Sequence, residues 1–197
     1  IAKEQELFDF NDKFLSEQDL ILFAEANALE LSVVKAVNQV ESRGKGFFIN
    51  GKPVILFEGH VFWRQLNERG IDPRTLLNSN IEDVLYKKWT RKHYLGGVKE
   101  YTRLEKAATI SSSSAVKEAA YSSASWGVFQ IMGYHYESLG YASIDDFVVK
   151  MYDHEREHLE AFGRFITINS FRGKKIISWL REKNWTNFAH AYNGSGY

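Results

Sequence analysis

The chain has 197 residues, 25 Lys and Arg balanced by 25 Asp and Glu, no Cys, and a pI near 7.2. Its 44% hydrophobic and 15% aromatic content excludes a disordered chain, and no run approaches the ~18 apolar residues of a membrane helix. Zero net charge argues against nucleic acid or an anionic membrane as a partner found by long-range attraction, and the lack of Cys removes disulfides, thiolate nucleophiles and Cys-based zinc sites together.

Ile1 to Asp12 are mixed and charged, so no signal peptide is expected there. Ser16 followed by Asp19 predicts a capping-box start for a helix through Leu20, Ile21, Phe23 and Ala24. Ser32 opens the next, in which Val33, Val34, Ala36, Val37 and Val40 recur at helical spacing up to Gly44 and Gly46. Glu41 then falls in the last turn of a buried helix.

Phe47-Phe48-Ile49 and Lys52 to Phe57 flank Asn50-Gly51, which predicts a β-hairpin. Helical periodicity returns from Val61 to Arg69; Gly70 to Asn80, with Pro73, predicts a loop, and Lys87 to Lys99 a basic, aromatic surface loop. Further helices are expected from Glu100 to Thr109, from Ala115 towards Tyr121, and over Trp126 to Met132, with Trp126 in the core. Ser143 with Asp146 predicts the cap of one long amphipathic helix through Phe147, Met151, Leu159, Phe162, Phe165 and Ile166. Shorter helices near Lys174 to Arg181 and Trp185 to Tyr192 complete a chain without repeat or linker, so residues 1–197 are expected to form one domain.

Val40-Glu41-Ser42-Arg43-Gly44-Lys45-Gly46-Phe47, then Ala124-Ser125-Trp126-Gly127-Val128-Phe129-Gln130-Ile131-Met132-Gly133, then Phe188-Ala189-His190-Ala191-Tyr192-Asn193-Gly194-Ser195-Gly196-Tyr197 follow one another. Their order resembles the lysozyme-like superfamily, including goose-type lysozymes and soluble lytic transglycosylases. With Gly51-Lys52-Pro53-Val54-Ile55-Leu56-Phe57-Glu58-Gly59-His60-Val61-Phe62 added, the chain most resembles, from about Leu15 to Tyr197, the N-acetylmuramidase domain family of phage endolysins and related bacterial proteins. The resemblance implies a mainly α, lysozyme-like single domain with a small β-hairpin beside an active-site cleft. It implies cleavage of the β-1,4 bond between N-acetylmuramic acid and N-acetylglucosamine, and a site of action at the bacterial cell wall. Peptidoglycan glycan strands are the implied partner of a monomer, with no nucleic acid, no membrane insertion, no cofactor and no metal.

The residues suit that chemistry on their own. Glycoside cleavage needs a carboxylic acid kept protonated near neutral pH, and partial burial raises a Glu pKa in that direction. Glu41 is the expected general acid; its competing role is a solvated Glu at a helix end. Glu58, just after the second apolar run, is the expected catalytic partner, and an ion pair with Arg64 or a hydrogen bond to His60 would explain it equally well. Asn50 stands where relatives often carry Asp and is read as a turn residue. A lytic transglycosylase, in which the sugar's own hydroxyl attacks, would need no second carboxylate. Under the resemblance Gln130 and Tyr192 contact the sugar and its acetamido group while Asn193 shapes the turn beside them; packing roles are the alternative for each. Tyr101 and His93 are weaker candidates for lining the cleft.

His154-Glu155-Arg156-Glu157-His158 satisfies the zinc-peptidase pattern H-E-x-x-H. On a continuous helix the apolar face would place Glu155 near its centre and His158 beside it, so a buried polar contact is expected, with Glu155 alternatively pointing into the cleft to support Glu41. An inactive glycan-binding domain is the remaining class.

Overall fold

The computed structural model describes residues 12–42 and 45–194, with the side chains of Glu41 and Ser42 outside that description. Helix α1 (Glu17–Ala26) starts at the predicted capping box: Ser16 Oγ accepts the Asp19 N–H at 3.2 Å, and Asp19 Oδ2 accepts the Ser16 N–H at 2.8 Å. Helix α2 (Leu31–Ser42) packs against it with Val33, Val34 and Val37 buried, while Val40 faces outward.

The expected hairpin exists only as an arm. Phe47 and Pro53 form one isolated bridge around a three-residue loop in which Gly51 takes φ +74°. The Gly51 N–H donates to Phe48 O (2.9 Å) and the Phe48 N–H to Lys52 O (2.8 Å), a turn followed by a left-handed glycine. Strand β1 (Ile55–Phe57) then leaves its expected partner and pairs antiparallel with β2 (Ala124–Trp126), Ile55 opposite Trp126 and Phe57 opposite Ala124. β2 turns at once into β3 (Ile131–Met132), so the sheet order is β1-β2-β3. The helix expected over Trp126 to Met132 is therefore absent. Gly127 (φ +72°) and Gln130 (φ +49°) are left-handed, which no helix accommodates.

Around this sheet lie α3 (Gly59–Glu68), α4 (Glu100–Ala108) and α5 (Ser114–Ser122), burying Phe62, Leu66, Leu104 and Ala119. The predicted long helix is two, α6 (Ile144–Asp153) and α7 (Glu155–Ile168), broken at an extended His154 (φ −153°, ψ 153°). The break leaves no orphaned groups at the centre. Glu155 N–H donates to Lys13 O (2.9 Å), His154 Nδ1 accepts the Arg156 N–H (2.9 Å), and His158 Nε2 takes Met151 O (2.7 Å). A small hairpin of β4 (Ser170–Phe171) and β5 (Lys174–Lys175) turns through left-handed Arg172 and Gly173. Helices α8 (Ile176–Arg181) and α9 (Trp185–Asn193) follow, the second capped by Asn184 Oδ1. The central core gathers Phe57, Trp126, Phe129, Phe147, Met151 and Phe162, each such side chain contributing ~1.5–3 kcal/mol on burial. The mainly α class with a small β element expected from the sequence is the class observed.

Candidate functional site

The start of β1 is where separate chain segments meet. Val54 N–H donates to Gly46 O (2.7 Å), and Val54 O accepts the Gly127 N–H (2.8 Å) and, at 3.3 Å, the Gln130 amide. Gly46 follows the end of α2, whose last turn contains Glu41, so this hub ties the exit of that helix to the β2–β3 turn. The Glu41 side chain lies outside the described residues.

Gln130 is exposed, yet its amide is held: Oε1 accepts from Ser125 Oγ at 2.8 Å and Nε2 donates to Gly127 O at 2.8 Å, leaving one Oε1 lone pair open among the described residues. A left-handed non-glycine backbone costs about 1–3 kcal/mol and persists only where its surroundings enforce it. Here the tight turn from Gly127 and the three amide hydrogen bonds do so. Strain of this kind gathers at functional sites.

Tyr192 reaches the same turn from α9, its hydroxyl donating to Phe129 O while its ring packs on Phe162, Phe165 and Phe188. Gln130, Met132, Tyr134, Tyr192 and Asn193 line a cleft of 390 Å³, within the usual range for a small-ligand site. A second, apolar hollow of 280 Å³ lies between α2 and α9, lined by Val37, Val40, Trp185, Phe188 and Asn193. Asn193 belongs to both, and Val40 immediately precedes Glu41. Thus Gln130, Tyr192 and Asn193 line one cleft, and Asn193 also borders the separate hollow that Val40, the neighbour of Glu41, lines.

Glu58 sits elsewhere. It follows the far end of β1, about 13 Å along the strand from Val54, with its own N–H bonded to Ser123 O (3.0 Å). The Tyr94 hydroxyl donates to its carboxylate, 2.7 Å from Oε1 and 2.8 Å from Oε2, and His60 Nδ1 lies 3.3 Å from Oε2. Burial pushes the Glu58 carboxyl above its ordinary range, against the opposing pull of Tyr94 and Arg103. The expected ion pair with Arg64 is absent among the described contacts; Arg64 pairs with Glu68 (3.5 Å) and lies over the Tyr134 ring.

This end has its own framework. Arg103, fully buried, donates to Phe57 O and Glu100 Oε2, each at 2.8 Å, and to Asp83 O at 3.0 Å. Glu100 in turn accepts the N–H groups of Leu95 (2.7 Å) and Gly96 (2.9 Å), fastening the 87–99 loop beside Glu58. His93 stacks on Tyr86 in that loop, whereas Tyr101 is a core residue donating to Pro53 O (2.8 Å) and lines neither cavity.

The H-E-x-x-H pattern does not present a zinc pair. His154 caps α7 through Nδ1, and both nitrogens of His158 are occupied, Nε2 by Met151 O and Nδ1 by the Val128 N–H at 3.1 Å. Burial holds the His158 pKa down at about 4, so the ring is neutral with one donor and one acceptor, both committed. Among the described residues no three His, Asp or Glu are grouped to hold a metal ion.

Two features go beyond the sequence reading, which offers Glu155 only as an alternative support for Glu41 and gives it no partners. Glu155 is buried with Oε1 accepting the Gly46 N–H (2.6 Å) and Oε2 the Leu15 N–H (2.9 Å), and burial raises its carboxyl despite both bonds. The other is close packing at glycine: a Cβ on Gly46 would stand 2.5 Å from Val128 Cγ2, and one on Gly127 2.6 Å from the His158 ring. Gly46 and Gly127 both sit in the quoted motifs, which was the available signal.

A family model described as N-acetylmuramidase matches residues 30–197. Among solved structures, the crystal structure of Burkholderia AP3 phage endolysin is similar at 39% sequence identity and a TM-score of 0.80, over 93% of this chain. The chain spans 65% of that endolysin's length. No curated protein matches the sequence.

Proposed function

The chain belongs to the N-acetylmuramidase family, and on that premise we propose that it degrades bacterial peptidoglycan by cleaving the β-1,4 bond between N-acetylmuramic acid and N-acetylglucosamine, with Glu41 as general acid. What supports this is the family match, together with one cleft lined by the left-handed Gln130, Tyr192 and Asn193, the last of which also borders the hollow lined by Val40 next to Glu41. Glu41 protonates the glycosidic oxygen as positive charge develops on the sugar. Gln130 and Tyr192 face the sugar and its acetamido group, and Asn193 shapes the turn where the two hollows meet. The substrate is wall glycan, taken by a monomer without nucleic acid, cofactor or membrane insertion; no described helix is long and apolar enough to cross a membrane.

Hydrolysis also requires a group that activates water or forms a covalent intermediate. Inverting enzymes hold two carboxyls roughly 6.5–9.5 Å apart, and Glu58 is the partner that this reading assigns. Its place at the far end of β1, under the Tyr94 hydroxyl, favours a second reading: the C6 hydroxyl of muramic acid attacks C1, the C1–O bond to the leaving sugar breaks, and the hydroxyl proton returns to Glu41.

Mass spectrometry of digested purified peptidoglycan separates the two, since reducing muramic ends mark hydrolysis and 1,6-anhydro ends mark the internal attack. Glu41→Gln is expected to lower either product by about 10²-fold or more with the melting curve unchanged. Full activity in that variant would remove Glu41 from the mechanism. Cut stem peptides in place of glycan products would overturn the glycosidase assignment itself.

A further inference from the structure

The pentapeptide that resembles a zinc motif has another use. Its Glu155 and His158 lie one turn apart at the start of α7, and each reads a backbone N–H from a different strand-flanking segment. Glu155 Oε1 accepts from Gly46, five residues beyond Glu41, and His158 Nδ1 accepts from Val128, two residues before Gln130. The remaining atoms are anchored too: Glu155 Oε2 by the Leu15 N–H and His158 Nε2 by Met151 O. The Phe47 ring lies 5.0 Å from the His158 ring, closing the space between the two contacts.

No slack exists at this junction. A methyl group on Gly46 would meet Val128, His158 Nδ1 and Glu155 Oε1 at 2.5, 2.8 and 2.9 Å, so both segments are pressed directly onto the two side chains. A carboxylate at the first position of a helix is also favoured by the helix dipole, which offsets part of its burial cost. Two backbone donors converging on one buried carboxylate define a position more tightly than side-chain contacts, because the N–H directions are fixed by the chain.

We infer that Glu155, assisted by His158, is a positioning residue that fixes the exit of the Glu41 helix relative to the Gln130 turn. The inference rests on the assignment of Glu41 as the acid. Only a few residues separate Glu41 from the clamped Gly46, so a shift at Gly46 moves the carboxyl against the glycosidic oxygen, and about 1 Å of such misplacement costs on the order of 10²-fold in rate. Gln130 and Tyr192, held by their own bonds to Val54, Gly127 and Phe129, keep their hold on the sugar.

The test is Glu155→Gln in the full chain, which turns an acceptor of two N–H groups into a mixed donor and acceptor. Turnover of purified peptidoglycan, thermal melting and hydrogen exchange at the Gly46 amide are measured together. The expected result is a folded protein with kcat lowered roughly 10²-fold, KM within about threefold of the parent, and faster Gly46 exchange. Unchanged kcat, or a loss that only tracks the unfolded fraction and vanishes on cooling, overturns the inference. If the variant melts below the assay temperature, Glu155→Asp, which keeps the charge on a shorter arm, supplies the same comparison and is expected to lower kcat less. An inactive parent would instead defeat the glycosidase assignment, and Gly46 exchange alone would then decide whether Glu155 holds that segment.

Discussion

The two ends of β1 each hold a carboxylate whose pKa is raised by burial, Glu155 buried and Glu58 partly buried, and they are built from different materials. At the Val54 end, Glu155 accepts only backbone N–H groups, from Leu15 and Gly46, in a space closed by glycines. At the Phe57 end, Glu58 accepts from the Tyr94 hydroxyl on a loop that Glu100 and Arg103 fasten down. Backbone donors on close-packed glycines define a place to within tenths of an ångström, whereas a phenol on a loop follows its loop. The difference locates geometric precision beside Glu41 and anchoring beside Glu58.

Gly46→Ala attacks the precise end directly. Its Cβ would stand 2.5 Å from Val128 Cγ2, and overpacking a filled interior costs about 1–3 kcal/mol. Chemical denaturation should show that loss, together with a drop in turnover larger than the unfolded fraction explains. Gly51→Ala is the control: nothing lies within 4 Å, and only its φ of +74° is compromised, so about 1 kcal/mol is lost while turnover is kept. Equal activity in the two variants would erase the distinction between a crowded glycine and a merely left-handed one.

Glu58→Gln probes the other end. Under the internal-attack reading, loss of its charge weakens the bond from Tyr94 but also relieves the burial that raises its carboxyl. A melting temperature that does not fall and a loss of activity of less than about tenfold are therefore expected, whereas Tyr94→Phe, which leaves the carboxylate without that donor, lowers the melting temperature. A loss of roughly 10²–10⁴-fold in Glu58→Gln alone, as removal of a general base gives, would reverse the comparison and make Glu58 the second catalytic group.

Local signals revealed what local physics decides. The Ser16 and Asp19 box, the valine stripe of α2 and the capped start of α6 could be read because caps and helical spacing act within a few residues. Motif order singled out Gln130, Tyr192 and Asn193, and all three line one cleft; their contact with the sugar is part of the proposed function. The break at His154 was not recoverable, because periodicity runs through it and one of the groups that satisfy it, Lys13 O, comes from the other end of the sequence. The apolar run from Val128 to Ile131 suits a buried helix or a turn between strands equally; left-handed Gln130, enforced by tertiary hydrogen bonds, decides for the turn. The H-E-x-x-H pattern was expected to be a buried polar contact, and Glu155 and His158 are buried against backbone N–H groups; only the helix break at its first residue was not visible.

The smallest expected effect separates the two members of the clamp by pH. His158 has a folded pKa lowered to about 4 by burial, so its contribution to stability is present above the unfolded value of 6.5 and is lost as pH falls towards 4. Glu155 is raised above 4.5, again by burial, so its effect has the opposite sign: stability is gained on protonation and lost as pH rises through its folded value. Between pH 6.5 and 4 the two oppose each other, with Lys13 and His154 charges close by. Melting temperatures across that window should therefore fall more steeply with acid in Glu155→Gln than in the parent, and less steeply in His158→Gln. The differences should be of order a few degrees. A slope unaffected by either substitution would mean that neither group changes its proton affinity on folding and would overturn burial as the source of the two opposed effects.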